Sequence, residues 1–209
     1  MIICESSKNP TFCSLANKSE FVYYETVYAI SEIKRSYYDK GLFLSFSKNI
    51  ERIKTLLHRE QIQADEIEYS NVRLKIAKKV TNNPIRNPLF SFMFIVDSTG
   101  LNFNQLSSDI KAINKSFIPN MTIFLDAGIL LNIEEEEYKK RNIKINLYPE
   151  YSQNGKWVFW KWDDNPVALL AFQYMLLVQH LNISCTGMPD LWEYTQKTFN
   201  LSIDNLDEI

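Results

Sequence analysis

The sequence predicts an α/β fold, a central mixed β-sheet flanked by helices, built as one domain across residues 1–209. Three observations predict it. Val27 to Lys34 carries apolar residues at both parities, as a strand covered on both faces does. Leu42, Phe46, Ile50, Ile53 and Leu57 then recur three or four residues apart, the stripe of an amphipathic helix. Strand-like and helix-like segments continue to alternate after it, with an antiparallel hairpin in the second half.

Met1 to Glu5 is a short apolar strand ended by the turn residues Ser6 to Pro10. The next strand is expected to start near Phe21 and run to Lys34, with Glu25 as a surface carboxylate at its beginning. Gln61 to Pro88 is polar and basic, and Asn82, Asn83, Pro84 and Pro88 make it a loop at least in part. Leu89 to Val96 is a strand. Asn104 to Phe117 reads as a helix with Leu106, Ile110 and Ile113 inward. Met121 to Leu125 and Ile129 to Leu131 form a hairpin around Asp126 to Gly128. Two further strands are expected at Ile143 to Leu147 and Trp157 to Trp162. The acidic run Glu134 to Glu137 reads as the cap or cover of a solvated helix turn. Asn165 and Pro166 suit the N-cap and first position of an apolar helix reaching Leu181. A last short helix spans Pro189 to Phe199.

Composition excludes several classes of function. With 45% hydrophobic and 23% charged residues and a net charge of -2, the chain is neither disordered nor basic enough to be a general nucleic-acid magnet, although a local basic groove is compatible. Five glycines, none in a G-x-G or G-K-[ST] cluster, cannot build the phosphate loops of nucleoside triphosphate or dinucleotide sites. Cys4, Cys13 and Cys185 lack metal-ligand spacing and are expected to be reduced, partly buried thiols. His58 and His180 lack a triad context and read as structural or surface residues. The start of the chain lacks the marks of a secretory signal, and a cytoplasmic protein is expected. Val167 to Val178, broken by Gln173, is shorter than the ~20 residues that cross a bilayer. It reads as a buried core helix, with no membrane partner expected.

The chemistry-bearing feature is Glu32-Ile33-Lys34 at the end of the central strand. Period two places Glu32 and Lys34 on one face, about 7 Å apart along the backbone. A carboxylate beside an ammonium suits metal-assisted phosphodiester hydrolysis: the carboxylate holds a divalent cation and the ammonium orients or helps deprotonate the attacking water. The alternative is a strand-end ion pair worth at most about 1 kcal/mol.

The stretch Tyr24-Glu25-Thr26-Val27-Tyr28-Ala29-Ile30-Ser31-Glu32-Ile33-Lys34-Arg35-Ser36 resembles the strand of the bacterial domain of unknown function 6602 family, whose pattern runs like E-S-V-Y-A-V-I-E-V-K-S. Ile2 to Pro10, Leu89 to Asp97, Ile118 to Gly128 and Asn165 to Leu181 resemble the family's other elements in order, so the likeness covers nearly the whole chain. That family is similar to a branch of the PD-(D/E)XK nuclease superfamily. The resemblance implies a restriction-endonuclease-like sheet and a Mg²⁺- or Mn²⁺-dependent DNA endonuclease with Glu32 as metal carboxylate and Lys34 as water-positioning base. It also implies an Asp just ahead of the first strand, as in D-I-I-I-Y-D, at a position immediately upstream of Met1. A domain N-terminally truncated relative to its family is therefore expected. Glu5 matches the second acidic position of that pattern and is the substitute metal ligand, although its strand parity is opposite to that of the Asp. The alternative is a catalytically inactive nuclease-fold module that binds DNA or a partner protein.

A nuclease requires a basic track for the phosphate backbone. The DNA-contact candidates are Arg35, then Lys48, Arg52, Lys54 and Arg59 after the site strand, and Arg73, Lys75, Lys78, Lys79 and Arg86 in the polar segment. Tyr37 and Tyr38 would either stack on a base or pack on the next helix. Trp157, Trp160 and Trp162 read as core or subunit contacts, and a homo-oligomer is compatible with them.

Overall fold

Among the described residues, six strands join into one mixed sheet whose spatial order follows chain order. The structure is a computed structural model and describes residues 1–4, 22–35, 41–56, 59, 61, 85–134, 144–162 and 165–186. The strands are β1 (Ile2–Cys4), β2 (Val27–Lys34), β3 (Phe90–Ile95), β4 (Met121–Phe124), β5 (Gly128–Glu134) and β6 (Gly155–Lys161). β2, β3 and β4 run parallel, while β1, β5 and β6 are added antiparallel. The helices are α1 (Leu42–Leu56), α2 (Phe103–Ala112) and α3 (Pro166–Ile183).

Two apolar layers follow from this order. Successive right-handed crossovers that advance in one direction place their helices on the same face of a sheet. Accordingly α1 and α2 share one face, where Phe43, Phe46, Ile50 and Leu106 pack with Ile30, Met93, Ile95, Phe124 and Leu130. On the other face α3 sends Leu169, Leu176 and Ile183 onto Ala29, Phe90, Phe92, Ile123, Ile129 and Leu131. Alternation along each strand thus feeds two cores.

Several sequence expectations are corrected. β2 starts at Val27, not near Phe21, because Tyr24–Thr26 forms a 3-10 turn whose Thr26 hydroxyl and amide both donate to the Tyr23 carbonyl. Glu25 belongs to that turn and is buried, not a surface carboxylate. α2 ends at Ala112; Asn114 then accepts from the Ser116 amide and opens a separate 3-10 turn, Lys115–Phe117. Of the strand expected at Ile143 to Leu147, the described part makes only an isolated bridge between Ile145 and Ile133. Glu134 ends a strand and pairs with Lys144 at 2.9 Å, so it caps no helix.

The hairpin and α3 starts match the turn chemistry. Gly128 holds φ +145°, and a Cβ there would run into the Trp160 carbonyl on the paired strand, so the close β5–β6 approach requires glycine. Asn165 caps α3 by accepting from the Ala168 amide at 2.9 Å. α3 is not the fully buried core helix that its composition suggests: Tyr174 and Met175 are 67% and 64% exposed, and Val167 is exposed beside them. By length and composition α3 reaches the span of a membrane helix, yet its inner stripe is seated on the sheet. The helix expected at Pro189 to Phe199 lies outside the described residues.

Candidate active site

β2 delivers Glu32 and Lys34 to the α1/α2 face, because both share the parity of Ile30 and stand beside Met93 and Ile95 of β3. They occupy the C-terminal end of the parallel strands, where open α/β sheets place their ligands. Burial falls along the strand toward this end: Ala29, Ile30 and Ser31 are buried, whereas Ile33 is exposed. The Lys34 Nζ lies 2.6 Å from the Glu32 Oε1, and the two side chains are 44% and 30% exposed. The pair is therefore preorganised but wet. It offers one hard oxygen ligand and one cation at a solvent-facing strand end.

β1 fixes what can face this pair. Ile2 is opposite Ile30, and the Met1 and Ser31 backbones exchange two hydrogen bonds of 2.9 Å. One ladder step further on β2 is Glu32. Directly opposed residues of an antiparallel pair project to the same face with Cβ atoms about 4.5–5.5 Å apart. At its other end β1 changes register, with Cys4 opposite Val27, five positions before Glu32. Glu5 itself lies outside the described residues, as do Tyr37, Tyr38, Arg73, Lys75, Lys78 and Lys79.

Two aspartates near the same sheet end serve the loops. Asp97 accepts from the Thr99 hydroxyl at 2.6 Å and from its amide at 2.8 Å, and these bonds hold its carboxyl below the ordinary carboxylate range. Asp126 accepts from the Ser98 amide and hydroxyl. No group of three or more His, Cys, Asp or Glu side chains suited to a metal ion occurs among the described residues.

The structure divides the basic candidates. Lys48 and Arg52 are exposed one turn apart on α1, and Arg35 is exposed directly after Lys34. Arg86 is 2% exposed and therefore packed within the protein, not a DNA contact. Lys54 donates to the Ser116 carbonyl at 2.7 Å and pairs with Glu150, while Arg59 donates to the Val27 carbonyl at 2.8 Å. Both cations are occupied in the fold. They were indistinguishable from Lys48 and Arg52 by residue type, since their partners come from distant segments.

His180 is likewise structural. Its Nδ1 lies 2.7 Å from the Tyr148 hydroxyl and its Nε2 3.0 Å from the Tyr28 carbonyl, and its ring stacks on Phe90. Burial pulls its pKa down to about 3, so the ring is neutral and bridges α3 to β2. His58 lies outside the described residues. Among the tryptophans, Trp157 packs against the α1/α2 core, and Trp160 and Trp162 cluster with Phe172 of α3.

A mixed sheet whose parallel centre is extended antiparallel at both edges, with helices on both faces, defines the restriction-endonuclease-like α/β class. Solved structures with this architecture include NucC of P. aeruginosa ATCC27853 in its cAAA-bound form, with a TM-score of 0.61 and 15% identity over 95% of this chain and 69% of that one. NucC of E. coli MS115-1 matches in its cAAA-bound form with a TM-score of 0.60 and 14% identity, covering 94% of this chain and 68% of that one. Its apo form gives 0.58 and 14%, covering 96% and 74%. These likenesses show a shared nuclease-type fold. No family model matches the chain, including one for the domain of unknown function 6602 family, and no curated protein matches it.

Proposed function

We propose that the chain is the nuclease-type domain of a divalent-metal-dependent DNA endonuclease, with Glu32 as metal ligand and Lys34 as the group that positions and deprotonates the attacking water. The observation that carries this reading is the 2.6 Å Glu32–Lys34 pair, held on one face at the open end of β2 in a fold shared with NucC. Glu32 fits Mg²⁺ or Mn²⁺: its oxygens are hard donors, and its partial exposure leaves room for the waters that Mg²⁺ retains. A cation held by Glu32 would supply Lewis-acid polarisation of a phosphoryl oxygen and stabilise charge on the leaving oxygen. Glu32 holds its carboxylate toward the α1/α2 side, and Lys34 keeps an ammonium within hydrogen-bonding distance of that carboxylate. A water beside both would be held by a hydrogen bond to Lys34 and, on attacking phosphorus, would pass its proton to a neutral Lys34 amine or to bulk water.

The second carboxylate of this proposal would occupy the ladder position opposite Glu32. A residue joined ahead of Met1 and continuing β1 would take that position, and an Asp there is what the family resemblance implies. Lys48, Arg52 and Arg35 would contact phosphates.

The test is nicking of supercoiled plasmid with Mg²⁺ or Mn²⁺ by the 209-residue chain and by a form with an aspartate inserted ahead of Met1. Cleavage by the inserted form that disappears on Glu32→Ala and on Lys34→Ala is expected. Salt-sensitive DNA binding without cleavage by either form would favour the inactive DNA-binding module instead.

A further inference from the structure

The two edges of the sheet are built differently. β1 is three residues long, and its register against β2 shifts between Ile3 and Cys4. Short length and broken register are devices that keep an edge strand from pairing with another chain. β6 has neither. Its seven residues pair with β5 in unbroken register and include no proline, and its two lysines, Lys156 and Lys161, flank an apolar centre of Trp157, Val158, Phe159 and Trp160.

The outer side of that strand is open. Trp162 donates its amide to the Ala127 carbonyl in the β5–β6 register, and the bonds of an antiparallel ladder alternate from residue to residue. Lys156, Val158 and Trp160 therefore direct their N–H and C=O groups at β5, while Gly155, Trp157, Phe159 and Lys161 direct theirs away from it. Among the described residues no strand pairs with this outer row. The flanks are apolar as well. Trp160 packs on Phe172 of α3 yet stays exposed, and α3 carries no Asp, Glu, Lys or Arg while turning Val167, Tyr174 and Met175 to solvent.

We infer that β6 is the interface at which two copies of this chain join, antiparallel about a two-fold axis at Val158, into one continuous sheet. The register is self-complementary. Trp157 meets the partner's Phe159 and Gly155 meets the partner's Lys161, so each outward N–H and C=O finds a bond in the second copy. Trp157 and Phe159 form aromatic cross-strand pairs on the α1/α2 face. Lys156 falls opposite the partner's Trp160, an ammonium against an indole, and Lys161 falls opposite a glycine, so no two like charges are directly opposed. This match of the strand to its own reverse singles out a second copy over an unrelated extended peptide. β3, β4 and β5 separate the interface from β2, so it leaves the Glu32–Lys34 centre open and does not depend on hydrolysis there.

Association of the 209-residue chain is read by sedimentation equilibrium and by amide hydrogen exchange at high and low protein concentration. A dimer is expected, with the Trp157 and Phe159 amides protected in concentrated solution and exchanging freely on dilution, while Val158 and Trp160, bonded to β5, stay protected throughout. Val158→Lys and Val158→Glu each set like charges opposite one another at the axis, with Cβ atoms about 4.5–5.5 Å apart, and each alone should weaken dimerisation about ten-fold. Mixed one to one they should restore it as a heterodimer, which a variant that merely misfolds cannot do. A monomeric wild type, wild-type dimerisation by either variant alone, or a mixture of folded variants that stays monomeric would overturn the inference. Exchange at Trp157 and Phe159 that does not follow concentration would overturn it without any variant.

Discussion

Two lysine–glutamate pairs of the fold, Glu32–Lys34 and Lys54–Glu150, stand in different environments. Glu32–Lys34 stands at the open end of β2, with side chains 30% and 44% exposed; Lys54–Glu150 lies near the other end, with side chains 18% and 10% exposed. The first is formed by residues two apart on one strand. The second joins α1 to a 3-10 turn ninety-six residues later and is reinforced by the Ser116 carbonyl. A water-exposed pair adds little to stability, whereas a buried pair is costly to break and serves to hold elements together. Identical residue types thus differ, by burial, in what their pairing contributes to stability.

Breaking the buried pair should have the largest effect. Glu150→Ala leaves Lys54 poorly solvated without its carboxylate, and a loss of about 3–5 kcal/mol is expected in urea unfolding. Lys54→Met combined with Glu150→Leu should recover much of that loss, because no charge then remains buried. If Glu150→Ala were neutral, the contrast between the pairs would collapse.

His180 tests buried polarity in the same core by pH. Its folded pKa of about 3 lies below the ordinary 6.5, so below pH 6.5 the unfolded chain binds a proton that the native ring refuses. The stability contributed by keeping the ring neutral is complete above pH 6.5 and is lost as pH falls toward 3, at up to about 1.4 kcal/mol per pH unit. In His180→Gln this component should vanish, as the difference between the two proteins' unfolding free energies from pH 7 to 4 would reveal.

The smallest change in stability belongs to the exposed pair. Glu32→Gln and Lys34→Met should each alter unfolding free energy by less than about 1 kcal/mol, while metal-dependent cleavage by the form with the inserted aspartate falls to background. A large stability loss in either variant would move that pair into the architectural class.

Much of the fold was legible because its signals are local. The stripe Leu42, Phe46, Ile50 marks α1, Asn165-Pro166 marks the start of α3, and the doubly apolar Val27 to Ser31 marks the covered part of β2. The failures are non-local or competitive. Thr26 captures a nearby carbonyl and delays β2, and Asn114 separates a 3-10 turn from α2. The outer face of α3 is as apolar as its inner face, so hydrophobicity alone could not tell which side meets the sheet. For the candidate site, the shared face of Glu32 and Lys34 followed from strand period. The occupation of Lys54 and Arg59 did not, because Glu150 and the Val27 carbonyl reach them only through tertiary packing.

The sequential strand order has a consequence for how the molecule assembles. Each strand of β1 to β6 pairs with its neighbours in the chain, so no later strand must be threaded between two that are already joined. The sheet can grow by accretion, each addition closing only the loop that precedes it and sparing the chain the slow search that distant pairings impose. The strands that frame Glu32 and Lys34 are the first in this series, and they can be paired while the segment that becomes α3 is still free.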